Sequence, residues 1–259
     1  IKTIHYVSPS IWAWRKGRIK KIKRAVDQIL TLFPFEPDIY KAAKVKASYV
    51  GHPMADEIPL SPDVDDARTQ LKLGRRAKII AMLPGSRLGE VRQHADLFVK
   101  TAQNIAKDYP DSLFLVPLLT RETRNIFEDA LFQNYYQHPE EVQPNIQILF
   151  GHSHLAMQAA DFVLVASGTA TLEAALLKKP MVITYRIPRL SWQLLKRMNY
   201  LPWVGLPNIL AKRFVVPELL QDDATPDNLA NTMMEMMNNQ SLLKEIREEF
   251  VGMHKTLKQ

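Results

Sequence analysis

Apolar runs of four to six residues alternate along the chain with stretches in which apolar positions recur every three or four residues. The runs read as strands at Thr3–Val7, Gln28–Leu32, Ser48–Val50, Lys78–Leu83, Leu113–Val116, Ile146–Leu149, Phe162–Val165 and Met181–Thr184. Helical patterns fill most of the gaps between them. Strand, helix and strand in series predict a parallel sheet covered by helices on both faces. Neither an internal repeat nor a low-complexity tract interrupts the pattern.

The periodicity breaks at GHPMADEIPLSP, residues 51–62, where three prolines and a glycine fall together. Beyond it, Ser61 and Pro62 read as an N-cap and first helical residue, and Gly74 as that helix's stop. The pattern before the break covers about fifty residues, too few for a doubly wound domain. A complete α/β unit follows. Three regions are therefore expected: 1–55, the tail of one Rossmann-like domain; 56–235, a whole second one; and 236–259, a helix packing back on the first domain or on a partner subunit. Thr225-Pro226 and Ser241 mark the starts of two C-terminal helices. The chain opens on IKTIHYVSPS, with no initiator Met and no signal-peptide pattern, and its first residues already read as a strand. The expectation is a piece of a longer protein.

Composition narrows the class only modestly. The 259 residues are 46% hydrophobic and 24% charged, which suits a globular chain large enough for two cores. No apolar stretch approaches the roughly 18 residues of a membrane span. Cysteine is absent, so no disulfide holds the fold. The net charge of +7 favours anionic partners: nucleic acid, phosphorylated ligands or an anionic membrane surface.

Chemistry concentrates where strands end. In VASGTATLEAALLKKPMV the strand FVLVA runs into Ser167, Gly168 and Thr169 and then into a helix carrying Glu173 one turn in. Ligands of open parallel sheets sit beyond the carboxyl ends of strands, and a helix start favours phosphate. Glu173 is one residue out of register for a capping box, since position 170 is Ala170. It could accept hydrogen bonds from ribose hydroxyls or be a solvated acid near a helix start. In LPGSRLGEVRQH the strand KIIAML ends in a turn where Gly85 and Ser86 can wrap a phosphate and Arg87 can bind one through two donors. The stretch is not a Walker A loop. In WVGLPNILAKRFVVPELLQ, Asn208 has the donors and acceptor to read a uracil edge or a sugar hydroxyl, or to make a turn. RKGRIKKIKR, residues 15–24, is a cationic amphipathic helix suited equally to anionic lipid and to a solvated face over a packed apolar one. His52, His152 and His154 complete no metal-ligand pattern, so no metal is expected.

Together these stretches resemble the lipid-A-disaccharide synthase family of bacterial glycosyltransferases, which has the two-domain GT-B fold. The carrying residues are SPSIWAWRKGRIKKIKRAVD, LTLFPFE, YVGHPMAD, LPGSRLGEV, VASGTATLEAALLKKPMV and LPNILAKRFVVPELLQ, in the family's order, from residue 1 to about residue 250. The resemblance implies inverting transfer of 2,3-diacylglucosamine from UDP-2,3-diacylglucosamine to the 6-hydroxyl of 2,3-diacylglucosamine 1-phosphate, without metal or other cofactor, at the cytoplasmic face of the inner membrane. It implies Arg87 as the group that stabilises leaving UDP. Gly85, Ser86, Ser167, Gly168, Thr169, Glu173 and Asn208 would complete the UDP site. The general base is expected outside this chain, so that these residues alone would be catalytically inactive. A homodimer remains open, and no nucleic acid is implied. Two rivals are another UDP-N-acetylglucosamine enzyme of GT-B type, such as a 2-epimerase, and a non-catalytic basic module binding membrane or nucleic acid. SPSIWAWR and LPNILA speak against the first, and the absence of an aromatic-lined RNA motif or recognition helix against the second.

Overall fold

The computed structural model of the protein describes residues 1–12, 16–74, 78–188, 192 and 201–259. Two parallel sheets organise it. In the first, β1 (Ile4–Tyr6), β2 (Gln28–Thr31) and β3 (Lys46–Tyr49) lie in that spatial order, all parallel. Helices α1 (Ile19–Ala25) and α2 (Glu36–Ala42) connect them. Ile11, Ile29, Tyr40 and Val45 form a small core, and Ile19 and Ile22 of α1 pack against it. The basic residues Arg18, Lys20, Lys21, Lys23 and Arg24 are exposed. The apolar side of this cationic helix thus lies on the protein itself. Trp14 and Arg15 lie outside the described residues.

The second sheet has six described strands: β4 (Ile79–Leu83), β5 (Leu113–Leu118), β6 (Asn145–Phe150), β7 (Phe162–Ala166), β8 (Met181–Tyr185) and β9 (Glu218–Leu220). All pair in parallel, in the order β6-β5-β4-β7-β8-β9. The chain winds outward from β4 to β6, returns to the other side of β4 and winds outward again. This is a doubly wound sheet whose switch point lies between β4 and β7. Every residue of β4, β5 and β7 is buried. Burial on both faces is why these strands read as unbroken apolar runs instead of alternating ones.

Around the sheet lie α3 (Pro53–Glu57), α4 (Val64–Gln70), α5 (Leu88–Asp108), α6 (Arg121–Gln137), α7 (Ser153–Ala159), α8 (Thr169–Leu176), α9 (Leu206–Ala211), α10 (Pro226–Asn238) and α11 (Gln240–Leu257). The C-terminal helix is integral to the second unit. Leu243, Ile246, Phe250, Met253 and Leu257 of α11 belong to the large core. Its last turn also meets the crossover between the sheets. The His52 amide donates to Leu257 O at 2.9 Å, the Tyr49 hydroxyl to Thr256 O at 2.6 Å, and the Gln259 amide to Asp56 at 3.0 Å.

Several boundaries differ from the sequence expectation. Asp63, not Ser61, caps α4, its carboxylate accepting from the Asp66 amide at 2.9 Å. That helix stops at Gln70, before Gly74. Lys72 takes the left-handed turn position (φ 55°), and the Leu73 amide closes back on Arg68 O at 2.9 Å. The proline-rich break contains the short helix α3, capped by the ring of His52, whose Nδ1 accepts from the Met54 amide at 3.3 Å. Asn239, not Ser241, caps α11. Strand β9 was not expected. Three residues long and at the sheet's edge, it is too short for a period to show.

Candidate functional site

The carboxyl ends of β4 to β8 open onto one cleft of about 500 Å³, within the range of small-molecule sites. Seven of the eight residues picked from the sequence line it: Gly85, Ser86 and Arg87 after β4, and Ser167, Gly168, Thr169 and Glu173 after β7. The switch point explains the convergence. Strands β4 and β7 are neighbours in space though about eighty residues apart in sequence, so the two loops leave the sheet side by side. A hollow of about 600 Å³ lies at the opposite ends of the strands, lined by Arg68, Lys78, Ser112 and Asp161. It is remote from every loop of the cleft.

Of the helices that start at the cleft, α5 and α8 follow the loops after β4 and β7, and they differ. At the start of α5 the anion position is filled by the protein's own carboxylate. Glu90 Oε2 accepts from the amides of Ser86 at 3.0 Å and Arg87 at 3.2 Å, and Oε1 pairs with the Arg87 guanidinium at 3.0 Å. Gly85 is needed for this closure. Its φ is +129°, and a Cβ there would strike the Glu90 side chain. The backbone of the GSR turn is therefore committed to Glu90, while the Arg87 side chain stays 83% exposed and reaches into solvent. At the start of α8 no side chain caps the helix. Ser167 is half-buried, and Gly168 and Thr169 are exposed. The loop is held from behind: the Ser167 amide donates to Thr184 O at 2.9 Å and the Thr171 hydroxyl to Gly168 O at 2.8 Å. This second helix start presents the positive end of its dipole to the cleft.

Glu173 sits one turn into α8, and one of its oxygens contacts His154 Nδ1 at 2.8 Å. The hydrogen bond to Glu173 holds the His154 imidazole above the ordinary histidine range, against the opposing effect of partial burial. The sequence offers His154 only as a candidate metal ligand. Its role beside Glu173 arises because α7 and α8, consecutive in the fold, bring residues 19 apart together. His94, also unpicked, is fully buried on α5. Its Nε2 accepts from the Arg186 amide at 3.0 Å, which leaves Nδ1–H to donate to Glu90 O at 2.8 Å. Burial pushes its pKa down, so the ring is a neutral brace between β8's exit and the capped turn at Arg87.

Asn208 corrects the sequence expectation. It is fully buried in α9 and does not line the cleft. Its Nδ2 donates to Val216 O at 2.9 Å and to Glu218 at 2.8 Å. Its Oδ1 accepts from the amides of Val215 at 2.7 Å and Val216 at 3.1 Å. All the hydrogen-bonding capacity of the amide is used inside the protein, so none is left for a base or a sugar.

Comparison with known proteins agrees with this architecture. Among solved structures, a glycosyltransferase from Rickettsia africae superposes with a TM-score of 0.58 at 14% identity, over 98% of this chain and 66% of that one. HepE of Anabaena, solved with UDP-glucose, gives 0.53 at 12% identity, over 98% and 68%. These likenesses establish a GT-B fold. A curated lipid-A-disaccharide synthase from Methylobacillus flagellatus is 60% identical over 259 residues, covering all of this chain and 67% of the relative. The chain spans about two thirds of the length of the curated relatives it matches. The family model described as lipid-A-disaccharide synthetase matches residues 1–258. Switch-point cleft, ordered motifs and whole-chain match converge: the chain belongs to the lipid-A-disaccharide synthetase family.

Proposed function

We propose that this chain carries the sugar-nucleotide half of a glycosyltransferase that joins two acylated glucosamines. The donor is UDP-2,3-diacylglucosamine, the acceptor 2,3-diacylglucosamine 1-phosphate, and the product a β-1,6-linked disaccharide phosphate. One observation carries the assignment: a helix start with no side-chain cap shares a cleft with an exposed arginine, and a carboxylate stands one turn further along. The diphosphate of UDP lies against the start of α8, Arg87 swings onto its outer oxygens, and Glu173 accepts from the ribose hydroxyls. The acceptor's 6-hydroxyl oxygen attacks the anomeric carbon from the face opposite UDP. The bond from that carbon to the β-phosphate oxygen breaks, its electron pair leaves with UDP, and the hydroxyl proton passes to a base. Charge growing on the departing diphosphate is what Arg87 and the helix dipole stabilise. The base is assigned to the acceptor side, outside these residues. Among the described residues no helix is long and apolar enough to cross a membrane. The exposed basic face of α1 suits a peripheral electrostatic contact with the anionic inner membrane.

Calorimetric titration with UDP, UMP and ADP, with and without a chelator, tests the nucleotide site. UDP is expected to bind selectively and independently of metal. Arg87→Ala and Glu173→Ala should each weaken it by about ten- to a hundredfold, the worth of a hydrogen bond involving a charged group. Equal affinity for ADP, or insensitivity to both substitutions in a folded chain, would remove the assignment.

A further inference from the structure

Behind the cleft lies a largely buried polar frame, Asn208 fully and Glu218 partly enclosed, with no place in the chemistry above. Glu218, on β9, accepts through Oε2 from the Val204 amide at 2.9 Å, and through Oε1 from the Gly205 amide at 2.9 Å and from Asn208 at 2.8 Å. Asn208 in turn grips the backbone at Val215 and Val216. The turn at residues 204–206 is thereby fixed from one side. Its other side touches the open helix start. Ser167 Oγ donates to Val204 O at 3.3 Å, and the Leu206 amide donates to Thr171 Oγ1 at 3.3 Å. Thr171 passes the contact to Gly168 O at 2.8 Å. Gly205 lets the turn press on the sheet, since a Cβ there would strike Ile183 of β8.

We propose that Glu218 and Asn208 are positioning residues that set the phosphate-binding loop, Ser167–Thr171, through the turn at 204–206. A carboxylate is the group this place requires. Three N–H donors converge on Glu218, and a carboxylate offers acceptors only. A carboxamide in the same space turns an NH₂ toward at least one of those donors. Burial raises the Glu218 pKa, while the Val204 and Gly205 amides and the Asn208 amide oppose that rise by stabilising the charged form. The frame also gives Asn208 a place although it does not line the cleft: it reaches the loop through Glu218 and the turn.

This inference rests on the UDP assignment and concerns the phosphates alone, so its test compares ligands that differ only there. The affinities of UDP and uridine are measured for the wild-type chain, Glu218→Gln and Thr171→Val, the last removing one of the two contacts between turn and loop together with the Thr171–Gly168 bond inside the loop. Leu229→Ala, a buried residue of α10 away from the frame, controls for general loss of stability. Glu218→Gln is expected to lower the preference for UDP over uridine by about tenfold, and Thr171→Val by about threefold, while Leu229→Ala leaves it unchanged. Should Glu218→Gln fail to fold, Glu218→Asp, which keeps the charge and draws the carboxylate back from the Val204 and Gly205 amides, takes its place with the same expected loss. A preference within twofold of wild type in the folded variants overturns the positioning role while leaving UDP binding intact. An equal loss in Leu229→Ala overturns it as well. A wild-type chain that does not bind UDP removes the functional assignment and this role with it.

Discussion

Lys179 is an amine inside the second core. It is 7% exposed, and its Nζ donates to Ala160 O at 2.7 Å. Burial pushes its pKa down to about 8, with Asp161 opposing and Arg68 and Arg247 reinforcing the shift. The sign of the pH effect follows from linkage. Between about pH 8 and 10.5 the unfolded lysine holds a proton that the folded one has released, so folding becomes more favourable as pH rises through that window. Below it both states are protonated, and the folded state bears the full cost of a buried ammonium. A shift of that size corresponds to about 3 kcal/mol. Lys179→Met keeps the packing, removes the charge and leaves Ala160 O without its donor. Urea unfolding of both proteins from pH 7 to 10.5 isolates the effect, because every other titrating group cancels in the difference. The wild type should gain on the variant by about 3 kcal/mol across the window, with a steepest slope near 1.4 kcal/mol per pH unit. Parallel stability curves for the two proteins would show that Lys179 titrates normally and would refute the reasoning.

Two further outcomes are expected. Arg68→Ala should cost about 2–3 kcal/mol and lower the melting temperature by roughly 5 °C or more in calorimetry. It removes a two-point contact with Asp161 at 2.9 and 3.0 Å and a bond to Ala159 O at 3.0 Å, and leaves the Asp161 carboxylate with the Ile79 amide. Glu173→Gln should bring the His154 pKa, followed by NMR of the imidazole, down toward the ordinary value. The stabilisation from that pair is complete below about pH 6.5 and is lost as pH rises through the folded pKa, so the variant's stability should lack this decline.

Legibility from sequence followed the range of the forces involved. All eight expected strands formed; in β4, β5, β7 and most of β8 burial on both faces leaves an apolar run that any neighbourhood preserves, whereas β1, β3 and β6 show short apolar runs although they are partly or wholly exposed. Gly85, Arg87, Ser167 and Glu173 were legible because strand end, small residues and helix start coincide within a few positions. Helix starts were misplaced at Ser61 and Ser241 because Asp63 and Asn239, equally able to cap, stand within two residues of each, and only backbone geometry chooses between them.

What the sequence determined by itself was the parallel α/β class, the two loops that line the cleft and the family. Three things were left to the tertiary structure. Sheet order set the β4 and β7 loops side by side. The Glu90 carboxylate closed the start of α5, while no side chain capped the start of α8. Asn208 was turned inward to Glu218, away from the cleft. Each depends on which distant groups meet, since a carboxylate or a carboxamide binds whatever donor the fold brings within about 3 Å, and linear spacing holds no record of that meeting.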